Sequence, residues 1–248
     1  EQKVDTTSIL TRTSTREKLV NNLVAAAIEK DLDGLNVDME SLDPKAGEGY
    51  LQFIRELALK CHKNDLVLSV DNYVPTDYTA FYNRKEQAQF ADYIIIMAYD
   101  EHYAGSDEGS VSSISFVTNG IKDTLKEVPA KQTIVALPFY TRLWEVTSKT
   151  NEEGVEISKD VKSQAYGMDS AQGIVNKSGV QTKWDDKSGQ YYLEYQNSGK
   201  TYKMWQEEEK SLALKLEQVK KNKLAGAAFW KLGFERDSIW DTIIKYVN

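Results

Sequence analysis

Histidine is scarce in this chain, with His62 and His102 alone among 248 residues, and cysteine is scarcer still, at Cys61 only. A single cysteine excludes an internal disulfide and a cysteine-based zinc site. Two histidines supply a histidine metal centre or a Ser-His-Asp triad poorly. Cys61, within ALALKCHK, reads as helix packing, the usual role of a free thiol. No apolar run approaches the ~20 residues that cross a bilayer, and no charged-then-apolar leader opens the sequence. Basic residues are outnumbered, 31 to 38, for a net charge of −7, and no Lys/Arg cluster offsets that balance. Such a surface argues against nucleic acid as a partner. The chain does have apolar residues, 41% of it, and many aromatics, including 14 Tyr and 5 Trp. These suffice for a substantial core, as one large α/β domain or two small ones.

The order of elements favours alternating strands and helices. A capping-box pattern, Ser14 with Glu17, precedes Leu19, Val20, Leu23, Val24, Ala27 and Ile28 at helical spacing. DGLNVDME follows, then the helical period of GYLQFIRELALKCHK and the β-branched run DLVLSVDNYVP, stopped by Pro75. ADYIIIMAYD and QTIVALPFYTRLWEV each read as one buried strand, with a helix around SFVTNGIKDTLKEV between them. A helix from Glu207 to about Lys221, the strand AGAAFWKLGF and the helix DSIWDTIIKYV close the chain. From 148 to 206 the sequence turns polar and turn-rich (NKSG, DDKSG, QNSGK), with period-two alternation in YYLEY and TYKMW. The expected organisation is parallel βα units over 1–147 and 207–248, with a small α+β insertion at 148–206.

DGLNVDME carries the chemistry. On a strand its side chains alternate, so Leu35, Val37 and Met39 share one face while Asn36, Asp38 and Glu40 share the other. In a βα barrel the second set lines the interior near the strand's C-terminal end, where active sites of that fold sit. Two buried carboxylates one strand repeat apart disfavour double ionisation, and a carboxyl held protonated near neutral pH is a general acid. Glu40, last on the strand, is the better acid, and Asp38 the better orienting and charge-stabilising group. A solvated edge strand or a structural hydrogen-bond network accommodates the same spacing. A calcium loop fits worse, because Val37 and Met39 fill intervening positions and the sharp-turn glycine is missing.

DGLNVDME resembles the DGxDxDxE signature of family 18 glycoside hydrolases, the chitinase-like enzymes. MAYD (Met97 to Asp100) is similar to their sixth-strand motif, and LPFYTRLW and GAAFWKLGFE to the seventh and eighth strands. AYDEHYAGSDEGSVSS and PFYTRLW further resemble the spore-cortex-lytic N-acetylglucosaminidases of Gram-positive bacteria and their LysM-linked relatives. Asn36 departs from the first motif aspartate, though asparagine is familiar there in this subgroup. The resemblance implies a (β/α)8 TIM-barrel type, here as about strands 4–8, that needs no cofactor or metal. It implies cleavage of β-linked N-acetylglucosamine polymers, cortex peptidoglycan ahead of chitin, by a substrate-assisted retaining mechanism. Glu40 would be the general acid/base, and Asp38 would hold the acetamido N–H. Tyr99 would bond the acetamido oxygen, and Asp100 would contact the sugar that Trp230 floors. Asn36, Met97, Tyr140 and Arg142 complete the implied substrate contacts, and Trp144 continues their strand toward the cleft.

His102 reads as a surface residue, and Trp184, Tyr191 and Trp205 as either a cleft wall or the insertion's own core. If DGLNVDME is the fourth strand, about 90 residues are expected before it, at roughly 30 per βα unit. Five strands cannot close a barrel, so an inactive or self-associating chain is expected. The same resemblance implies export to the cell wall, spore or exterior, and upstream LysM-type wall-binding modules. Two other classes remain open: a non-catalytic chitin- or peptidoglycan-binding module on the same scaffold, and a barrel metal enzyme using Asp38, Glu40 and Asp100.

Overall fold

A computed structural model describes residues 5–151, 153 and 156–247. The chain divides into two compact units, Glu1–Met97 with Gly120–Ile134, and Ala98–Asn119 with Val135–Asn248.

In the first unit, α1 (Thr6–Thr11) and α2 (Thr13–Glu29) lead into β1 (Gly34–Val37), α3 (Gly47–His62), β2 (Val67–Tyr73), the short α4 (Arg84–Gln87) and β3 (Tyr93–Met97). The three strands are parallel, with Asn36 opposite Ser69 and Tyr73 opposite Met97. Alternation places Val37, Leu68, Val70, Ile94 and Ile96 in the core with Tyr50, Phe53, Ile54, Leu57 and Cys61 of α3. Asn36, Ser69, Asp71 and Tyr73 share the opposite face. Helix α3 has Glu48 in its first turn and Lys60 and His62 in its last, complementing the helix dipole.

The expected capping box at Ser14 does not form. Helix α2 already begins at Thr13, with no side-chain cap from Arg12. Its start is tied to α1 instead, by Thr15 Oγ1 donating to the Ile9 carbonyl at 2.7 Å. The functional cap sits one helix earlier, where Asp5 accepts from the Ser8 N–H at 3.0 Å. Arg16, nearly buried, donates to the Leu10 carbonyl and to Glu56 of α3, pinning these helices together.

Helix α5 (Ile114–Thr124) and β4 (Thr133–Pro138) follow. The run QTIVALPFYTRLWEV, expected as one strand, is two: β4 ends at Pro138, and β5 (Tyr140–Thr150) enters a different, antiparallel sheet. Pro138 offers no ladder N–H; the next amide, Phe139, still donates to the carbonyl of Trp230 at the end of β10, and from Tyr140 the chain pairs with β6 instead. The second unit continues with β6 (Glu156–Gly167), α6 (Met168–Ser178), β7 (Lys183–Asp185), β8 (Gln190–Asn197) and β9 (Lys200–Gln206). After these come α7 (Glu209–Lys221), β10 (Gly226–Trp230) and α8 (Ile239–Val247).

The antiparallel sheet has the order β6-β5-β9-β8-β7, and β10 lies beside β4. QNSGK forms the β8–β9 hairpin, where Ser198 and Gly199 both take positive φ, the conformation a tight hairpin demands. Ala171 of α6 packs on Leu193 and Met204 to form this sheet's core.

Candidate functional site

The sequence-derived residues fall into two clusters, one in each unit. In the first, β1 ends at Val37, so Asp38, Met39 and Glu40 lie beyond the strand rather than on it. Asn36, Asp38 and Glu40 are exposed, which corrects the expectation of a buried acidic face. The cause is local. Ser41 takes a left-handed conformation, and two tyrosines claim the peptide groups that a longer strand would pair. Tyr82 donates from its hydroxyl to the Met39 carbonyl and accepts from the Leu42 N–H. Tyr73 accepts from the Ser41 N–H at 3.1 Å and donates to Glu40 Oε2 at 2.9 Å. Glu40 is thereby held at a fixed point on the wall of a cleft of about 460 Å³ that Ser41, Leu42, Asp43, Asp5, Thr6 and Thr7 also line.

Asn36 donates from Nδ2 to Ser69 Oγ at 2.9 Å and to Asp71 Oδ1 at 3.0 Å. Asp71 is the carboxyl that titrates abnormally: burial pushes it up to about 6, the Asn36 hydrogen bond opposes this, and the charges of Asp38 and Glu40 reinforce it. Burial likewise raises Tyr73, and lifts Tyr82 to about 12. Asp71, Ser69, Tyr73 and Tyr82 were not anticipated as site residues. The signal was present in SVDNY, where Ser69, Asp71 and Tyr73 alternate as Asn36 and Asp38 do one strand away.

The second cluster follows β3. Asp100 has φ of 54° and accepts from the Tyr140 hydroxyl at 2.5 Å, with Arg142 Nη2 at 3.5 Å. The Arg142 guanidinium lies 6.0 Å from the Tyr140 ring, and Tyr99 meets that ring edge-on at 6.3 Å. Burial first, then the hydrogen bond to Asp100 and its charge, raise the Tyr140 hydroxyl above its ordinary range. Arg142 Nε is buried with no hydrogen-bond partner among the described residues. Trp230 ends β10, 49% exposed, with a cis peptide to Lys231. Met97 is buried at the end of β3, in the first unit.

Trp144 is not a cleft residue. It is 1% exposed, and its indole donates to the Gly109 carbonyl at 2.8 Å. His102 is half-buried, with Nδ1 3.0 Å from the Asp107 carbonyl. Trp184 packs edge-on to Tyr191 beneath the Lys210 ammonium, while Tyr192 pairs with Trp205 on the neighbouring row. Among the described residues, no three His, Cys, Asp or Glu side chains converge closely enough to hold a metal ion.

Residues 5–235 match the family model "Glycosyl hydrolases family 18". An uncharacterized glycosylase of Bacillus subtilis is 25% identical over 96% of this chain and 68% of its own length. A cortical fragment-lytic enzyme of Bacillus anthracis is 22% identical over 97% of this chain, which spans 56% of that protein. The crystal structure of a chitinase from Chromobacterium violaceum superposes with a TM-score of 0.83 at 24% identity, covering 94% of this chain and 72% of that one. The parallel βα strands and their antiparallel companion sheet are thus parts of a TIM-barrel-like fold, and the chain belongs to the family 18 glycosyl hydrolases.

Proposed function

We propose that this protein hydrolyses β-linked N-acetylglucosamine polymers, cortex peptidoglycan in preference to chitin, with retention of configuration. The observation that carries this reading is the placement of Glu40. Its carboxylate is hydrogen-bonded by Tyr73 on the wall of an open cleft, just past the C-terminal end of β1, with Asp38 and Asp71 nearby. Catalytic groups on βα scaffolds occupy such strand ends.

Glu40 protonates the glycosidic oxygen as the bond to the leaving sugar breaks. The carbonyl oxygen of the substrate's own 2-acetamido group attacks the anomeric carbon and gives a cyclic oxazolinium ion. Asp38 accepts the acetamido N–H and stabilises the developing positive charge. Water then opens the ring, with Glu40 now taking the proton. Asn36 and Asp71 manage charge beneath the pair. In the second unit, Tyr140 and Arg142 hold Asp100, and Tyr99, Asp100 and Trp230 are that unit's proposed sugar contacts. Cortex is favoured because a cortical fragment-lytic relative aligns with nearly the whole chain. On this reading the protein acts at the spore or cell wall, outside the cytoplasm.

Glu40→Gln keeps the shape and an acceptor for Tyr73 but cannot donate the required proton. Turnover of glycan strands is expected to fall roughly 10²–10⁴-fold, with oligosaccharide affinity, read by tryptophan fluorescence, within about threefold of the original. Turnover at the wild-type level would overturn the assignment.

A further inference from the structure

The second unit buries an ion pair that the proposed chemistry does not use. Glu207 and Lys215 are both 0% exposed and are paired directly. Glu207 precedes the N-cap of α7, Glu208, while Ser211 and Lys215, four residues apart, share the buried face of α7 with Leu212 and Leu216. Ser211 Oγ donates to Glu207 Oε1 at 2.7 Å, and Gln190 Nε2 donates to Oε2 at 3.0 Å. Two branches leave this hub. One runs from Gln190 Oε1, which accepts from Ser110 Oγ, to Ser112, whose N–H donates to that same Ser110 oxygen. Ser112 Oγ then donates to the Ala98 carbonyl at 2.7 Å, the peptide group directly before Tyr99 and Asp100. The other branch is the Glu207 N–H, which donates to Thr141 Oγ1 at 2.8 Å. Thr141 lies between Tyr140 and Arg142, the two side chains that hold Asp100. Gln190, Ser112 and Thr141 are themselves fully buried.

A buried ion pair is weak evidence for stability, because removing both charges from water consumes most of what their attraction returns. Its cost is easier to understand if it fixes geometry. We infer that the Glu207–Lys215 pair is a positioning device: through Gln190, Ser110 and Ser112 on one side and Thr141 on the other, it sets the Tyr99–Asp100 segment against Tyr140 and Arg142. Glu207 and Lys215 touch no substrate and act only through these groups. Their effect on turnover rests on the glycosidase reading; their effect on the loop does not.

The test compares the double variant Glu207→Met with Lys215→Met, and Ser110→Ala, in the full chain. It reads thermal midpoint, hydrogen–deuterium exchange of peptides covering residues 98–113, and kcat and KM on N-acetylated glycan strands. Replacing both charges with methionine refills the volume and avoids stranding either one, so the double variant is expected to fold with a midpoint near wild type. Its 98–113 segment should nevertheless exchange at least about fivefold faster. Its kcat should fall roughly tenfold, with KM changed less than threefold. Ser110→Ala cuts only the first branch and should show the same exchange change without touching the pair. A double variant with wild-type midpoint, wild-type exchange and wild-type kcat would overturn the proposal and leave the pair as packing. If the wild type hydrolyses no such strand, the glycosidase reading falls, and unchanged or accelerated exchange in the variants still decides the positioning role.

Discussion

At Asp71 the chemistry of the first cluster becomes measurable. Its carboxyl, ordinarily near 3.8, is pushed up to about 6 by burial and by Asp38 and Glu40. A group that binds its proton more tightly when folded stabilises the fold most below the unfolded value. That contribution is lost as the pH climbs from 3.8 through 6. The rise corresponds to about 3 kcal/mol, which partial exposure reduces to roughly 1–2 kcal/mol. Asp71→Asn is therefore expected to unfold at higher urea than wild type at pH 7, with the two curves converging near pH 4. A constant gap across that range would show that Asp71 is not the titrating group. Asn36 makes this residue intelligible, because its amide donates to Asp71 where a second carboxylate would repel it. Asp38 and Glu40 were legible in the sequence because their spacing forms a motif. Asp71 and Tyr73 were not, because their importance comes from parallel pairing across 30 or more residues, which period-two alternation alone does not assign, and Tyr82 reaches Met39 and Leu42 from outside any strand.

The strand β1 shows where local pattern reading stops. Alternation through DGLNVDME suggested a strand as far as Glu40, but polar alternation cannot reveal that Tyr73 and Tyr82 will take the backbone groups of residues 39–42. The glycine of this motif has a concrete reason. A Cβ on Gly34 would lie 2.3 Å from the Val67 carbonyl oxygen, the backbone that β1 must pair with. Gly34→Ala is expected to cost about 2–4 kcal/mol, read as a lowered urea midpoint with unchanged slope. A loss below about 0.5 kcal/mol, the range of ordinary surface substitutions, would mean that β1 shifts freely on β2. The break at Phe139 escaped the sequence reading for a related reason. LPFYTRLW is apolar on both sides of Pro138, and only the partner strand distinguishes β4 from β5. Turn chemistry was more transparent: NKSG, DDKSG and QNSGK each contain a glycine with positive φ, at Gly179, Gly189 and Gly199.

For the molecule as a whole, most of the order of strands and helices and the family were visible in the sequence, because hydrophobic period and motif order report topology. Burial was not, since the face carrying Asn36, Asp38 and Glu40 reads the same whether it is enclosed or open. Strand β1 stands at the edge of the parallel strands, pairing only with β2 among the described residues. Its free backbone groups are a template for another chain. Concentration-dependent sedimentation at micromolar protein is the expected behaviour, and a single monomeric boundary at all concentrations would show the edge to be protected. The central claim, that the substrate's own acetamido group is the nucleophile, is tested most directly with one glycan in two forms. Cortex fragments and the same fragments after N-deacetylation would be incubated with the protein, and new reducing ends counted by mass analysis. Cleavage of the acetylated strands alone is the predicted result; equal cleavage of both forms would contradict it.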